Sequence, residues 1–267
     1  MVVNPIRLIF FFSLSFFLLL AGCSSTIPQS GWLYEQGQDT PLESTAETQD
    51  PDFKEVEPES EICLDNELEA LRLAGDWNAP QAEIIQQTPA GNLGIPEVTF
   101  DFPITINRQV NVYLELFQGR QRTYFSRWLA RSGYYLPMIQ KELENSGLPL
   151  DLAYLAMIES GFSQLAYSRS HAVGLWQFMK ATGRQYDLLV DNYIDERRDA
   201  VKSTKAAVTY LKDLYDEFGD WYLAVAAYNG GPGTMRKAVR RAGTTDFWEI
   251  AQKKSLRLET KRYVPKL

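Results

Sequence analysis

Residues 152–163 read LAYLAMIESGFS. Seven uncharged residues, Leu152–Ile158, lead into Glu159, and Ser160-Gly161 follows at once. Pro149 sits where a helix can open and Gly161 where one can end, so the stretch predicts a buried helix near 149–159. Its last turn delivers a carboxylate. Two effects then act on Glu159 in the same direction. A helix C-terminus carries roughly half a negative charge, and burial disfavours ionisation. A carboxyl group kept protonated near neutral pH is what general-acid catalysis requires. The plainer alternative is a helix-end glutamate that turns into solvent or pairs with an arginine.

Outward from this helix, apolar periods near 3.6 dominate from about residue 61 onward. Leu64, Leu68 and Leu71 fall on one helical face. Residues 80–100, broken by Pro80, Pro89, Gly91, Gly94 and Pro96, read as a connection. Residues 104–118 predict a helix with Ile106, Val110, Leu114 and Phe117 as its stripe, and 121 onward another with Phe125, Trp128 and Leu129. Pro137 is expected to begin a separate helix, with Ile139 and Leu143 inward and Asn145-Ser146-Gly147 as its stop. Asp199 to Phe218 reads as a long amphipathic helix with Val201, Val208, Leu211 and Leu214 inward. A short apolar helix (Trp221–Tyr228) and a basic one (Thr234–Arg241) follow. Convincing period-two strands are lacking, so the fold class is mainly α.

Charge is unevenly spread along the 267 residues, whose formal net is -7. Residues 35–61 hold ten acids and one base, Lys54, so the remainder is slightly basic. A body so near neutrality lacks the electrostatic footprint of a nucleic-acid binder, and no nucleic-acid partner is expected. Cys23, Cys63 and the single histidine, His171, fall short of a structural zinc set, so neither metal nor cofactor is expected.

The N-terminus reads as an address. Arg7 precedes Leu8–Leu20, thirteen residues without charge. That is shorter than the ~20 residues a membrane span needs, and it fits a signal peptide. The run ends in Leu20-Ala21-Gly22-Cys23, which resembles the lipobox of bacterial lipoproteins. The resemblance implies lipidation at Cys23, and Ser24 after it resembles a signal for the outer membrane. Cys63 is then left without an intramolecular partner. Residues 23–60, acidic and poor in apolar periods, read as a flexible, disordered tether.

Three further segments join ESGF: HAVGLWQFM at 171–179, AVAAYNGGPG at 224–233 and ETKRYVPK at 259–266. In order and spacing, the four resemble the motifs of lytic transglycosylases with the goose-lysozyme-like fold, over roughly residues 135–267. The resemblance implies a lysozyme-like helical catalytic domain at 135–267, preceded by a helical extension at 61–134 and by the leader (1–22) and tether. It implies Glu159 as sole catalytic acid and base, with Ser160, Gln177, Tyr228, Asn229 and Tyr263 binding substrate. Many members have methionine where Trp176 stands. The implied substrate is peptidoglycan, cut between N-acetylmuramic acid and N-acetylglucosamine without water, leaving 1,6-anhydro ends. The absence of any Asp or Glu between Glu159 and Asp187 suits a substrate-assisted route. The implied place is the cell envelope, at the periplasmic face of the outer membrane.

Each motif residue also has a plainer reading. Trp176, Phe178 and Met179 are more readily core than ligand contacts, with Gln177 facing outward between them. Gly230, Gly231 and Gly233 allow positive φ and close backbone approach. His171 reads as a surface or loop residue, and Arg236, Lys237, Arg240 and Arg241 as a solvated face. The alternatives to a transglycosylase are a hydrolytic muramidase of the same fold and a non-catalytic wall-binding lipoprotein. The similar proteins carry C-terminal wall-binding modules, whereas this sequence stops at Leu267, so its C-terminal end is expected to be truncated.

Overall fold

Short polar side chains start several helices of this chain. Asn107 accepts the Val110 N–H, Asp199 those of Val201 and Lys202, Asp220 that of Leu223, and Asp246 those of Trp248 and Glu249. Each satisfies donors that the first helical turn leaves without a partner. Left-handed glycines, Gly161, Gly219 and Gly243, provide several of the helix ends.

The computed structural model describes residues 66–73 and 100–267. The expected leader, Cys23 and its tether, Leu64, and the connection as far as residue 99 lie outside the described residues. The chain divides into units Met1–Glu47 and Thr48–Leu267, and every described residue lies in the second. Its helices are α1 (66–73), α2 (Arg108–Gln118), α3 (Arg122–Asn145), α4 (Leu155–Ser160), α5 (Lys180–Gln185), α6 (Ala200–Phe218), α7 (Trp221–Gly230), α8 (Pro232–Ala242), α9 (Phe247–Gln252) and α10 (Leu258–Lys266). Among the described residues, β pairing is limited to three isolated bridges, so the architecture is mainly α as expected.

Helix α7 is the centre of the core. Leu223 through Ala227 are all buried, and α6, α8 and α10 pack around it. Small alanines allow this close approach on every side. A second, smaller cluster of Tyr113, Leu116 and Phe117 lies on α2. Phe125 and Trp128 of α3 cover it, with Phe117 and Phe125 stacked at 5.0 Å.

Several details differ from expectation. Pro137 does not begin a helix: α3 runs unbroken from Arg122 to Asn145, across the expected 134/135 boundary. The proline removes one helical bond, that to the carbonyl of Gly133, a residue whose side-chain position is open. Meanwhile Phe125 and Trp128 at one end, and Ile139 and Leu143 at the other, are held in packed apolar clusters. The α2 stripe is Tyr113, Leu116 and Phe117, and Leu114 is exposed, because the buried phase follows a tyrosine. Leu129 on α3 and Leu68 on α1 are exposed, while Leu71 is buried. Val201 is exposed in the first turn of α6, where Ser203 and Thr204 take the buried positions. The helix expected at 149–159 is split into a 3-10 turn, Leu150–Tyr154, and α4.

A long loop from Gly161 to Met179 returns the chain between α4 and α5, and one side chain clamps it. Arg197 lies buried. It forms a two-pronged pair with Asp195 at 2.8 and 2.7 Å, and its remaining nitrogen donates to the carbonyls of His171 (3.0 Å) and Phe178 (2.9 Å). Fork geometry of this kind is specific to arginine. Gly174 (φ +83°) lies so close that an added Cβ would stand 2.0 Å from the Arg197 carbonyl oxygen. Gly174→Ala should therefore cost about 3 kcal/mol or more, lowering the thermal midpoint by roughly 10 °C. A drop of under about 2 °C would mean the loop is not seated this closely.

Candidate active site

Glu159 sits on the last turn of α4, and three contacts fix that turn. Gly161 takes φ +58° and donates its N–H to the Met157 carbonyl at 2.7 Å. Arg131 of α3 donates Nε to the Gly161 carbonyl at 2.7 Å. Trp128 lies under the same residue, so that a Cβ at position 161 would meet its ring at 2.4 Å. Glycine is thus required here by conformation and by space. The Ser160 hydroxyl ties the turn to the returning loop. It lies 2.9 Å from the Leu175 carbonyl and 3.1 Å from that of Ala156, and accepts the Ser163 N–H at 3.1 Å.

On the loop, Trp176 is fully buried and its indole N–H donates to Thr204 on α6 at 2.9 Å. Phe178 is core as expected, whereas Met179 is exposed. Between them Gln177 adopts φ +47°, a left-handed conformation that costs about 1–3 kcal/mol in a non-glycine residue. Its amide donates to the carbonyls of Gly174 (2.8 Å) and Ala166 (3.3 Å). His171 is exposed, also at positive φ.

Helices α7 and α10 close the other side. The Tyr228 hydroxyl donates to the Trp176 carbonyl at 2.8 Å, and its ring lies against Tyr210 and Phe178. Asn229 accepts from the Thr260 hydroxyl at 3.0 Å. A Cβ at Gly230 would meet Thr260 Oγ1 at 2.8 Å, so this glycine serves close approach rather than positive φ. Gly231 alone of the three has positive φ (+81°), and a Cβ at Gly233 would meet only the Arg236 guanidinium at an ordinary 3.8 Å, so neither constraint applies there. Tyr263, buried on α10, donates its hydroxyl to Glu159 Oε1 at 2.5 Å.

The carboxyl group of Glu159 therefore has apolar and aromatic surroundings and one strong donor. Burial pushes its pKa up to about 7; the Tyr263 hydrogen bond and Lys266 pull it down, and Glu259 adds a small upward push. Helix α4 is only six residues long, so its dipole is minor and burial decides the direction. The residue keeps part of its surface open, as proton transfer to a ligand requires. Tyr228 and Tyr263 are pushed well above the ordinary tyrosine range, chiefly by burial, and stay protonated donors.

Glu159, Ser160, Tyr228, Asn229 and Tyr263 are thus linked through α4, α7, α10 and the returning loop, and Gln177 lies on that loop beside Trp176. Sequence reading missed Thr260, Thr204 and the Asp195–Arg197 pair. Thr260 and Tyr263 are three residues apart, so the helical face was readable once Tyr263 was singled out. Among the described residues, no group of three or more His, Cys, Asp or Glu side chains could share a metal ion.

A helical body that presents one burial-tuned carboxyl group has the chemistry an acid–base centre needs. Residues 137–251 match the transglycosylase SLT domain. The chain is 37% identical over 180 residues to a membrane-bound lytic murein transglycosylase D of Escherichia coli, covering 66% of this chain and 37% of the relative. A membrane-bound lytic murein transglycosylase C of Haemophilus ducreyi is 28% identical over 137 residues, 46% of this chain and 37% of its own length. The solved structure of an inactive mutant of lytic transglycosylase Slt from Pseudomonas aeruginosa matches 49% of this chain and 22% of that one, at 25% identity and a TM-score of 0.42. The chain spans little more than a third of the length of these curated relatives.

A carboxyl group whose pKa is raised on folding contributes most below its unfolded value of 4.5, and that contribution is lost as pH rises to about 7. Glutamine at this position cannot ionise. Glu159→Gln should therefore be more stable than the parent at pH 8 by roughly 1–2 kcal/mol, after allowance for part exposure, and the gap should close near pH 4. Unfolding midpoints across pH measure it; a gap independent of pH would contradict the raised value.

Proposed function

We propose that the protein is a lytic transglycosylase of peptidoglycan, cleaving the bond between N-acetylmuramic acid and N-acetylglucosamine. The observation that carries this reading is Glu159, a single carboxyl group with a pKa near 7 and a tyrosine hydroxyl on one oxygen. The match of residues 137–251 to the transglycosylase SLT domain supports it.

Tyr263 occupies Oε1, which leaves Oε2 to carry the proton. In the first step Glu159 gives that proton to the glycosidic oxygen, and the bond to the muramoyl anomeric carbon breaks. The acetamido carbonyl of the same sugar stabilises the cationic carbon in place of a protein nucleophile. The Tyr263 hydrogen bond then steadies the new carboxylate, which removes the proton from the C6 hydroxyl as that oxygen closes on the anomeric carbon. Water is not consumed, and Glu159 ends protonated. The carboxylate that acts on Glu159 electrostatically, Glu259, is exposed on α10, which suits a route without a second catalytic carboxylate.

Asn229 and Gln177 offer amide groups to acetamido and hydroxyl groups of the glycan. Ser160 and Tyr228, whose hydroxyls are already bonded to backbone carbonyls, shape the walls about it. The relatives named membrane-bound support a cell-envelope location. Lipidation of Cys23 would attach the enzyme to the periplasmic face of the outer membrane. Among the described residues no helix is long and apolar enough to cross a membrane.

Mass spectrometry of digested sacculi tests the reaction. The expected products carry 1,6-anhydromuramic ends, and Glu159→Gln gives none. Reducing muramic ends would make the enzyme a hydrolase, and wall binding without turnover would make it a tether. Tyr263→Phe removes a hydrogen bond to a charged group, so turnover should fall roughly ten- to hundredfold. The alkaline limb of its pH profile should move upward, because the lost bond had lowered the Glu159 pKa. An unchanged rate and limb would show that Tyr263 plays no part.

A further inference from the structure

Helix α1 reaches the far end of the chain through one carboxylate. Glu67 Oε2 receives Lys266 Nζ at 2.6 Å, and Glu67 Oε1 accepts the Tyr113 hydroxyl at 2.9 Å. The Lys266 ammonium also stands 5.6 Å from the centre of the Tyr113 ring. These side chains are largely enclosed, with 23% of Lys266 and 14% of Glu67 exposed, so the pair is not one of the weak ion pairs of an open surface. Tyr113 is almost fully buried, and burial together with Glu67 keeps its hydroxyl protonated as a donor.

Lys266 follows Tyr263 by three residues on α10, one helical turn along the same side. The two residues thus join α1 and α2 to the catalytic carboxyl group through one short helix. Neither Glu67 nor α10 falls within residues 137–251. The face that seats Tyr263 is completed by parts of the chain beyond the matched domain.

We infer that Glu67 is a positioning residue for the acid–base centre: by holding Lys266 and Tyr113 it fixes α10, and with it Tyr263, against Glu159. The inference rests on the reading of Glu159 as general acid. The Lys266 ammonium, paired with Glu67, also acts on Glu159 through its charge. The groups that face Glu159 are Tyr263, Lys266 and Glu259 from α10 and Tyr228 from α7, with Tyr210 of α6 behind the two tyrosines. Those about Lys266 are Glu67 of α1 and Tyr113 of α2, and Arg262 acts on Tyr113 from α10. Pairing with Glu67 offsets the positive field that Lys266 casts on Glu159.

Two substitutions should then move the same titration in opposite directions. Glutamine can keep the clamp, its amide oxygen accepting from Lys266 and its N–H donating to the Tyr113 hydroxyl, so Glu67→Gln leaves Tyr263 in place and removes only the negative charge. The ammonium is then uncompensated and Glu159 gives up its proton at lower pH. Lys266→Met removes the cation, so Glu159 holds its proton to higher pH. In the full chain acting on purified sacculi, the alkaline limb of the pH–rate profile should fall by about 0.5 pH unit in Glu67→Gln and rise by a similar amount in Lys266→Met. Carbon-13 NMR titration of Glu159 in the same variants needs no substrate and should show the same two shifts. A purely structural role would lower stability without splitting the shifts. Unchanged titrations, or two shifts of one sign, in variants with intact circular dichroism would overturn the inference. Opposite NMR shifts in a protein that fails to turn over wall material would leave Glu67 as a positioning residue and remove the proposed function instead.

Discussion

The hydrogen bond from Tyr263 to Glu159 spans 104 positions of sequence, and the site is organised around it. A buried carboxyl group is costly when ionised and inert when locked in the neutral form. One hydroxyl donor resolves this, because it can bond to the carboxyl group in either state. The donor must itself be a poor acid, and burial of Tyr263 secures that. For the bond to exist, the chain has to bring α10 back onto α4.

Each neighbouring feature serves that meeting. Thr260 bonds to Asn229, and Gly230 lets α10 approach α7 at that point. Arg131 and Trp128 fix the end of α4 from the other side. The returning loop is built under strain, with Gln177 left-handed and Gly174 pressed against the Arg197 backbone. Arg197 holds that loop with two hydrogen bonds and is itself paired to Asp195 by two more, so the strain is sustained by a buried, fully paired charge. Preorganisation of this kind lets a site meet its ligand without reshaping itself.

Much of this was legible in the sequence because it is local. Gly161 reads as a stop, since a left-handed helix end favours glycine. Seven uncharged residues before Glu159 announce its burial, and burial dictates the direction of its pKa. What could not be read was compensation at a distance. Pro137 looks like a helix start until both flanks of α3 are known to be anchored in apolar clusters. Leu114 looks more buried than Tyr113 until α2 is turned by its aromatic partners. Nothing local in the run DERRD at 195–199 marks Arg197 as the loop's clamp. Glu67 and Lys266 are individually ordinary surface residues, and only the fold makes them a pair.

The central claim is that burial, moderated by one tyrosine, sets the proton affinity of Glu159. Site-resolved carbon-13 titration of that carboxyl group in the unliganded wild-type chain tests it most directly. A midpoint close to pH 7 is the result this account predicts. A midpoint near 4.5, that of a hydrated glutamate, would contradict it.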